Sequence, residues 1–266
     1  MLPLMRFRYL RLPPASAYAG KSTEYAPGHA TYASYNYLRG GLIARVKAAH
    51  FEAALRMTRP WFGRANAIDF GCADGVFLPS LAHWFPKAVG IDRDPDSIDI
   101  AEKAMHALKL SNVRLMCSDG KDTAALTTAL APDRFEVLFT IMTLEHFGEH
   151  GRLYESRVDL VEKMFDLLEP NGVIVASVPN MVGLPFLLQR IALSAANLHR
   201  DPIGPRQMFN SIVRKETSAL EPDWTPETHL GFNHIKLLDA LRERMYVLEH
   251  RSLFVEEMFL LSRKPR

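Results

Sequence analysis

The chain has 266 residues and a formal net charge of +2, with 32 Lys and Arg against 30 Asp and Glu. Hydrophobic residues make up 48% of it, which is enough for a large core and excludes a globally disordered chain. The small net charge argues against bulk duplex nucleic acid as a partner. With only two cysteines we expect no disulfide framework, and a reducing cytoplasm is the simplest location.

The first 60 residues predict an irregular arm followed by a helix. Residues 1–36 are rich in Pro, Tyr, Ala and Gly, whereas residues 38–57 have helical apolar spacing that Pro60 ends. The opening "MLPLMRFRYLRLPP" lacks the continuous apolar stretch of a signal peptide. We expect an N-terminal arm and cap helix at 1–60 and the main domain at 61–266. Contact of the arm with a membrane surface stays an alternative.

Strands and helices alternate from residue 66 to residue 180. The predicted strands are "NAIDF", "AVGID", "VRLMCSD", "FEVLFTI" and "GVIVASVPN". The predicted helices between them are 76–84, 94–110, 120–130 and 157–169. This alternation is typical of a parallel sheet that helices cover on both faces. Beyond residue 230 a helix, "HIKLLDALRER", precedes two strands, "YVLEHRSLF" and "VEEMFLLSR", which we expect to pair antiparallel at the end of the sheet.

The first strand ends in the turn "DFGCADG". Its glycines, Gly71 and Gly75, permit close approach of a ligand to the backbone, and the following helix offers free N–H groups. A dinucleotide fingerprint would need a third glycine at Val76. The turn therefore predicts a nucleotide-like ligand and disfavours an NAD-dependent oxidoreductase.

This turn resembles motif I of the class I S-adenosylmethionine-dependent methyltransferases, an acid followed by glycines at every second position, with Ala73 in the middle place. The resemblance covers roughly residues 65–180. It implies a Rossmann-like, doubly wound α/β fold with a mostly parallel seven-stranded sheet whose last strand is antiparallel. It also implies S-adenosylmethionine as cofactor, with Gly71 and Gly75 shaping the pocket and Asp69 ordering the turn.

The ends of the second and third strands also match the family. Asp92 follows "GI" at the end of the second strand, where the resemblance implies that an acid holds the ribose hydroxyls. Asp119 in "CSDG" corresponds to the contact with the adenine amino group. We expect the adenine ring to be flanked by Arg93 and Ser118. The alternative is that either acid caps the next helix, although Asp94 is better placed to cap the helix after the second strand.

The later segments resemble one subgroup of the family. "LEH" after the fourth strand, "SVPN" at the end of the fifth and "THLGFNHIKLLDAL" are similar to the ubiquinone-biosynthesis and other small-molecule O-methyltransferases. The resemblance implies transfer of a methyl group to a hydroxyl, and the acceptors we expect first are sugars, glycans and natural products. Residues 181–230 would then cover the acceptor, and the early tyrosines could cap the cofactor (Tyr25, Tyr32, Tyr35 and Tyr37).

A hydroxyl acceptor needs a general base or a metal ion. The candidate catalytic residues are His146, Glu145 and His229, with His234 as a further candidate. His146 leads because it follows the fourth strand directly. Some relatives bind a divalent metal through Glu, two residues, Glu and His, but Met142 stands at the first Glu position and a thioether cannot replace an oxygen ligand. We therefore expect no metal.

Two rivals to a small-molecule enzyme stay open. An RNA 2′-O-methyltransferase is disfavoured by Met142 and by the near-neutral charge. A catalytically silent association module with the same fold is disfavoured by the intact Gly71 and Asp92. A homodimer is compatible with either reading.

Overall fold

A computed structural model describes residues 9–12, 31–38, 41–195, 203–226 and 229–265. The strands are β1 Ala67–Phe70, β2 Ala88–Asp92, β3 Val113–Cys117, β4 Val137–Ile141, β5 Val173–Pro179, β6 Met245–Ser252 and β7 Glu256–Arg263. The α-helices among these residues are α1 Gly41–Met57, α2 Leu78–Trp84, α3 Pro95–Ala107, α4 Thr123–Leu130, α5 Leu153–Phe165, α6 Gly183–Ala195, α7 Pro205–Phe209 and α8 His234–Arg244.

The strands form one seven-stranded sheet in the order β3-β2-β1-β4-β5-β7-β6. β1 pairs parallel with β2 and with β4, and β2 pairs parallel with β3. β6 and β7 pair antiparallel, as predicted. This arrangement confirms the Rossmann-like, doubly wound fold. Strand order reverses between β1 and β4, and open sheets of this kind bind ligands at such a switch point, beyond the carboxyl ends of the strands.

The described chain divides into two compact units by backbone contacts. The first contains Met1–Ile141 and Met164–Val175, and the second contains Met142–Lys163 and Ala176–Arg266. In the first unit Phe51 of α1 stacks on Phe77 with ring centroids 4.7 Å apart, and Tyr9 stacks on Phe51 at 4.9 Å. Tyr9 and Phe51 thus pack into the core of the first unit. A separate domain boundary at residue 60 stays a prediction.

The second unit has a mixed core. Its apolar part includes Phe186, Phe232 and Phe259, each exposed by no more than 2%. Arg157 of α5 lies among the fully buried side chains. Helix α5 begins at Leu153, four residues before the predicted start at 157, because Leu153 is itself buried and extends the apolar face by one turn.

Local signals explain where α3 begins. Asp94 is its N-cap, and its carboxylate accepts hydrogen bonds from the Asp96 and Ser97 N–H groups. Pro95 occupies the first helical position, where its missing N–H is not needed. The predicted cap is confirmed.

Candidate functional site

The glycine turn after β1 has the backbone geometry that a close ligand requires. Gly71 and Gly75 have φ angles of 82° and 77°, in the left-handed region. A Cβ on Gly75 would lie 3.0 Å from the Cβ of Ala101, so this glycine also permits packing against α3. Ala73, in the place of the middle glycine, has φ 47° and bears a strain of roughly 1 kcal/mol. The methyl group is thus tolerated at a small energetic cost.

Asp92 ties this turn to the end of β2. Its Oδ2 accepts a hydrogen bond of 2.7 Å from the Ala73 N–H, and its Oδ1 accepts one of 3.0 Å from the Asp94 N–H. The carboxylate is half-buried rather than enclosed. Since Asp94 is the cap of α3, the alternative that Asp92 caps this helix is wrong. Asp92 instead orders the loop at which the ribose is expected.

Asp69 lies within β1 and is buried. Burial, and after it the nearby charge of Asp92, raise the pKa of Asp69 to about 8. The group is therefore mainly protonated at neutral pH, which suits the predicted role of ordering the turn rather than carrying a charge to a ligand.

Asp74 is a residue that the motif analysis missed. It is 1% exposed, and its Oδ2 accepts a hydrogen bond of 2.7 Å from the Ala33 N–H. Burial raises its pKa to about 6, although hydrogen bonds from Ala33 and Thr31 lower it in part. The carboxylate thereby fastens the segment around residue 33 to the glycine turn. An acid inside a glycine turn was the available signal, but its partner lies 41 positions away.

The loop after β3 holds the predicted adenine contacts. Asp119 is exposed, and the N–H of Lys121 bonds to its carboxylate and lowers its pKa. The N-cap of α4 is Asp122, so the alternative that Asp119 caps this helix is wrong. The Ser118 hydroxyl accepts a hydrogen bond from the Gly120 N–H, and Arg93 is exposed.

Gly120 completes this loop by contact with an aromatic ring. A Cβ there would lie 2.2 Å from Cζ of Phe70, at the end of β1, and the φ angle of Gly120 is 71°. Any side chain at this position would therefore displace the ring. In the first unit the loops after β1, β2 and β3 thus lie at one edge of the sheet, and the residues present there fit S-adenosylmethionine.

Two of the early tyrosines are described. The hydroxyl oxygens of Tyr32 and Tyr37 lie 3.4 Å apart, and Tyr37 is buried beside His50. Tyr25 and the side chain of Tyr35 lie outside the described residues. Contact between any of the four and the cofactor stays a prediction.

The second unit brings His146 and His229 together. His146 ends the short 3-10 turn Leu144–His146 and is exposed. Its Nδ1 lies 2.6 Å from the Pro226 carbonyl oxygen and 3.2 Å from Nε2 of His229. The ring centroids are 4.4 Å apart. Two of the predicted catalytic residues, 83 positions apart, therefore form one cluster.

Glu145, unlike the neighbouring His146, points into the protein interior. Its side chain is fully buried, and neither carboxylate oxygen has a hydrogen-bond partner among the described residues. Burial raises its pKa to about 8, against the smaller opposing effects of its own main-chain N–H dipole and of the Arg157 charge. A carboxylate in this position cannot contact an acceptor directly. We expect it to be largely protonated at neutral pH.

Glu145→Gln is expected to make unfolding less sensitive to pH. Glu145 binds its proton more tightly in the folded state than at its ordinary pKa of 4.5, so its contribution to stability is present below that value and is lost as pH rises toward 8. Relative to wild type, the variant should have nearly the same melting temperature at pH 5. At pH 9 it should be more stable by several kcal/mol, on the order of 4.

The control is Glu155→Gln, which alters an exposed acid on α5. Its melting temperature should follow that of wild type across the same pH range. Equal pH dependence of Glu145→Gln and wild type would contradict the assignment of a raised pKa to Glu145.

His234 belongs to a separate buried network. It starts α8, is 8% exposed, and its Nε2 lies 3.9 Å from Oε1 of Glu257. The other carboxylate oxygen of Glu257 lies 2.8 Å from Nε2 of His250, and Oε1 also accepts a hydrogen bond from the Asn180 amide. Burial lowers the pKa of His234. These contacts favour a packing role for His234 at the ends of β5 and β7.

Backbone strain is found in the same segments. Non-glycine residues with a left-handed φ include Ala73, Met142 and His229, at 47°, 51° and 56°. Such conformations cost about 1–3 kcal/mol each and persist only where the surroundings enforce them. At Met142, the N–H is held by the carbonyl and the hydroxyl of Ser177. All three lie in segments that the sequence singled out, whereas Lys109 and Phe254 have the same backbone conformation elsewhere.

No cluster of three or more His, Cys, Asp or Glu side chains that could hold a metal ion is found within the described residues. Nor does any helix in that part of the chain have the length and apolar character to cross a membrane.

Comparison with known proteins identifies the family. Residues 42–215, well over half of the chain, match a family described as a methyltransferase domain. The ubiquinone biosynthesis O-methyltransferase of Azorhizobium caulinodans is 29% identical over 163 residues, which is 61% of this chain and 57% of that protein. The mitochondrial enzyme of the same name from Schizosaccharomyces pombe is 26% identical over 62% of this chain and 57% of its own length. The chain thus matches little more than half the length of these curated relatives.

Solved structures show the same fold at low identity. Magnesium protoporphyrin IX methyltransferase from Synechocystis PCC 6803 has a TM-score of 0.55 at 12% identity, over 90% of this chain and 91% of that one. N-methyltransferase NodS from Bradyrhizobium japonicum WM9, in complex with S-adenosyl-L-homocysteine, has a TM-score of 0.50 at 14% identity, over 83% and 88%. The glycine turn, the acids at the end of β2 and after β3, the strand order and the family match lead to one conclusion: this chain belongs to the class I S-adenosylmethionine-dependent methyltransferases.

Proposed function

We propose that this chain transfers the methyl group of S-adenosylmethionine to a hydroxyl on a small molecule, with His146 as the general base. The observation that carries the proposal is the 2.6 Å contact between His146 Nδ1 and the Pro226 carbonyl oxygen. A carbonyl only accepts hydrogen bonds, so Nδ1 carries the proton and the basic lone pair belongs to Nε2. Because His146 is exposed, an acceptor can reach its ring.

S-adenosylmethionine supplies an electrophilic methyl group when it is bound. His146 takes the proton of the acceptor hydroxyl on Nε2 as the oxygen attacks in line, and the products are a methyl ether, S-adenosylhomocysteine and a proton. The imidazolium is stabilised because its Nδ1–H donates toward the Pro226 carbonyl and His229 Nε2. The exposed ring then returns the proton to solvent.

The cofactor roles follow the loops of the first unit. We propose that the Asp92 carboxylate accepts hydrogen bonds from the ribose hydroxyls and that the Asp119 carboxylate accepts one from the adenine amino group. Gly71 and Gly75 shape the methionine end, and Asp69 orders their turn. Arg93 and Ser118 flank the adenine.

Glu145 and His229 take supporting roles in this proposal. We propose that Glu145 supports the turn that carries His146 and does not contact the acceptor, since its carboxylate is wholly buried. His229 stabilises the protonated form of His146. Neither then needs to touch the acceptor.

The proposed acceptors are hydroxyls of sugars, glycans or natural products, and the proposed location is the cytoplasm. The names of the curated relatives support O-methylation. Residues 181–230 stay the proposed acceptor cover. Within them Phe186 is buried, while Leu188 and Ile191 of α6 are 43% and 55% exposed. The side chain of Leu193 lies outside the described residues.

The test is formation of S-adenosylhomocysteine with three acceptor panels: catechols and other phenols, hydroxylated sugars, and short RNA. Turnover on a small hydroxyl compound supports the proposal. Methylation of RNA alone would favour the RNA 2′-O-methyltransferase. Cofactor binding without turnover on any panel would favour the association module.

A further inference from the structure

A buried arginine binds the main chain of the turn that carries His146. Arg157 of α5 is fully buried, and its Nε donates a hydrogen bond of 3.1 Å to the Leu144 carbonyl. Its Nη2 donates one of 3.4 Å to the Glu145 carbonyl. The guanidinium thus binds the main chain of the two residues that immediately precede His146.

Aromatic rings enclose this guanidinium. Its Cζ lies 5.0 Å from the ring centroid of Phe232, 5.3 Å from that of Trp224 and 5.5 Å from that of Tyr154. Ring faces attract a cation and offset part of the cost of removing it from water. Burial lowers the pKa of Arg157 only to about 10, so the group remains charged at neutral pH.

A second bond joins the same turn to the segment that holds the Pro226 carbonyl. Trp224 Nε1 donates a hydrogen bond of 3.2 Å to the Glu145 carbonyl. Two residues later, the Pro226 carbonyl accepts from His146. The segments 144–146 and 224–226 are therefore linked twice, and Arg157 contacts both of them.

We propose that Arg157 and Trp224 are positioning residues for the general base: they clamp the turn Leu144–His146 against residues 224–226 and thereby hold the His146 Nδ1–H on the Pro226 carbonyl. The inference rests on the proposed role of His146. An exposed histidine is free to carry its proton on either nitrogen, and only one arrangement leaves the lone pair on Nε2. The clamp selects that arrangement.

The test is ¹⁵N NMR of the histidine rings in the full chain, which distinguishes the two neutral tautomers. The wild type should show His146 mainly as the Nδ1–H form. Trp224→Phe keeps an aromatic ring beside Arg157 but loses the bond to the Glu145 carbonyl. It should shift most of the neutral His146 to the Nε2–H form. The matched control, Trp84→Phe in the first unit, should leave the tautomer as in wild type.

Arg157→Lys keeps the charge but cannot bind both carbonyls with a rigid fork. It should give a mixture of the two tautomers. Folding of each variant is checked by its thermal unfolding and by the dispersion of its ¹H–¹⁵N NMR spectrum. A wild-type His146 in the Nε2–H form, or an unchanged Nδ1–H form in Trp224→Phe, overturns the proposal.

Turnover separates this inference from the proposed function. With an acceptor in hand, Trp224→Phe should lower kcat on the order of tenfold with KM nearly unchanged, since misplacing a base acts on the chemical step. If His146→Gln retains full turnover, the base assignment fails whatever the tautomer shows. If His146 is essential but Trp224→Phe leaves the tautomer and kcat unchanged, only the positioning role fails.

Discussion

Replacing Asp92 with alanine is expected to weaken binding of S-adenosylhomocysteine by about a hundredfold or more. The variant loses the hydrogen bonds that order Ala73 and Asp94, and it loses the proposed acceptor of the ribose hydroxyls. Hydrogen bonds to a charged group contribute about 1.5–3 kcal/mol each. Loss of roughly 3 kcal/mol corresponds to a factor of about 100 in Kd. Isothermal titration calorimetry measures the change directly.

Asp94→Asn is the matched control for this experiment. It alters an acid two positions away in the same loop, and asparagine keeps the capping bond to α3. Its affinity should stay within about a factor of two of wild type, a change too small to involve a lost charged hydrogen bond. Wild-type affinity in a folded Asp92→Ala variant would remove Asp92 from the cofactor site. If the wild type does not bind S-adenosylhomocysteine, the association module becomes the better hypothesis.

His146→Gln is expected to reduce turnover by about 10²–10⁴ while leaving affinity for S-adenosylhomocysteine almost unchanged. Glutamine preserves much of the size of the ring but cannot accept the proton of a hydroxyl at neutral pH. The range is that of a lost general base. Initial rates at saturating acceptor, set beside calorimetry, separate an effect on chemistry from one on cofactor binding.

His106→Gln serves as the control, because His106 is an exposed histidine of α3 in the first unit. Its turnover should match that of wild type. His229→Gln should be intermediate: it leaves the base in place and removes one acceptor of the Nδ1–H. Full turnover in His146→Gln would show that methyl transfer here needs no base at this position.

The proposed cofactor residues of the first unit could be predicted from the sequence because they are close together in the chain. The motif residues of the glycine turn lie within seven positions, Asp92 ends β2, and Asp119 follows the end of β3 by two residues. In a parallel sheet, consecutive strands bring their carboxyl ends to one edge, so spacing alone places these loops together. The role of Asp74 was not predicted, because its partner, the Ala33 N–H, is a backbone group that nearly any residue could supply.

The residues around the proposed base could be predicted only in part from the sequence. His146 and His229 were each identified, but nothing in their spacing of 83 positions indicated contact. Glu145 was expected beside the acceptor, whereas neighbouring positions on a 3-10 turn point in different directions and its side chain is buried. Arg157 was not singled out in the sequence, because a charged residue is rarely fully buried.

The sequence alone predicts the alternating strands and helices, the cap of α3 and the glycine turn, since these depend on local periodicity and on backbone conformations that few residue types favour. The folded chain was needed to show which nitrogen of His146 meets the Pro226 carbonyl, where the Glu145 carboxylate lies and which side chains bind the main chain of their turn. Those features depend on the carbonyls of Leu144, Glu145 and Pro226. Every residue carries a carbonyl, so its use as a binding partner leaves no pattern in the sequence.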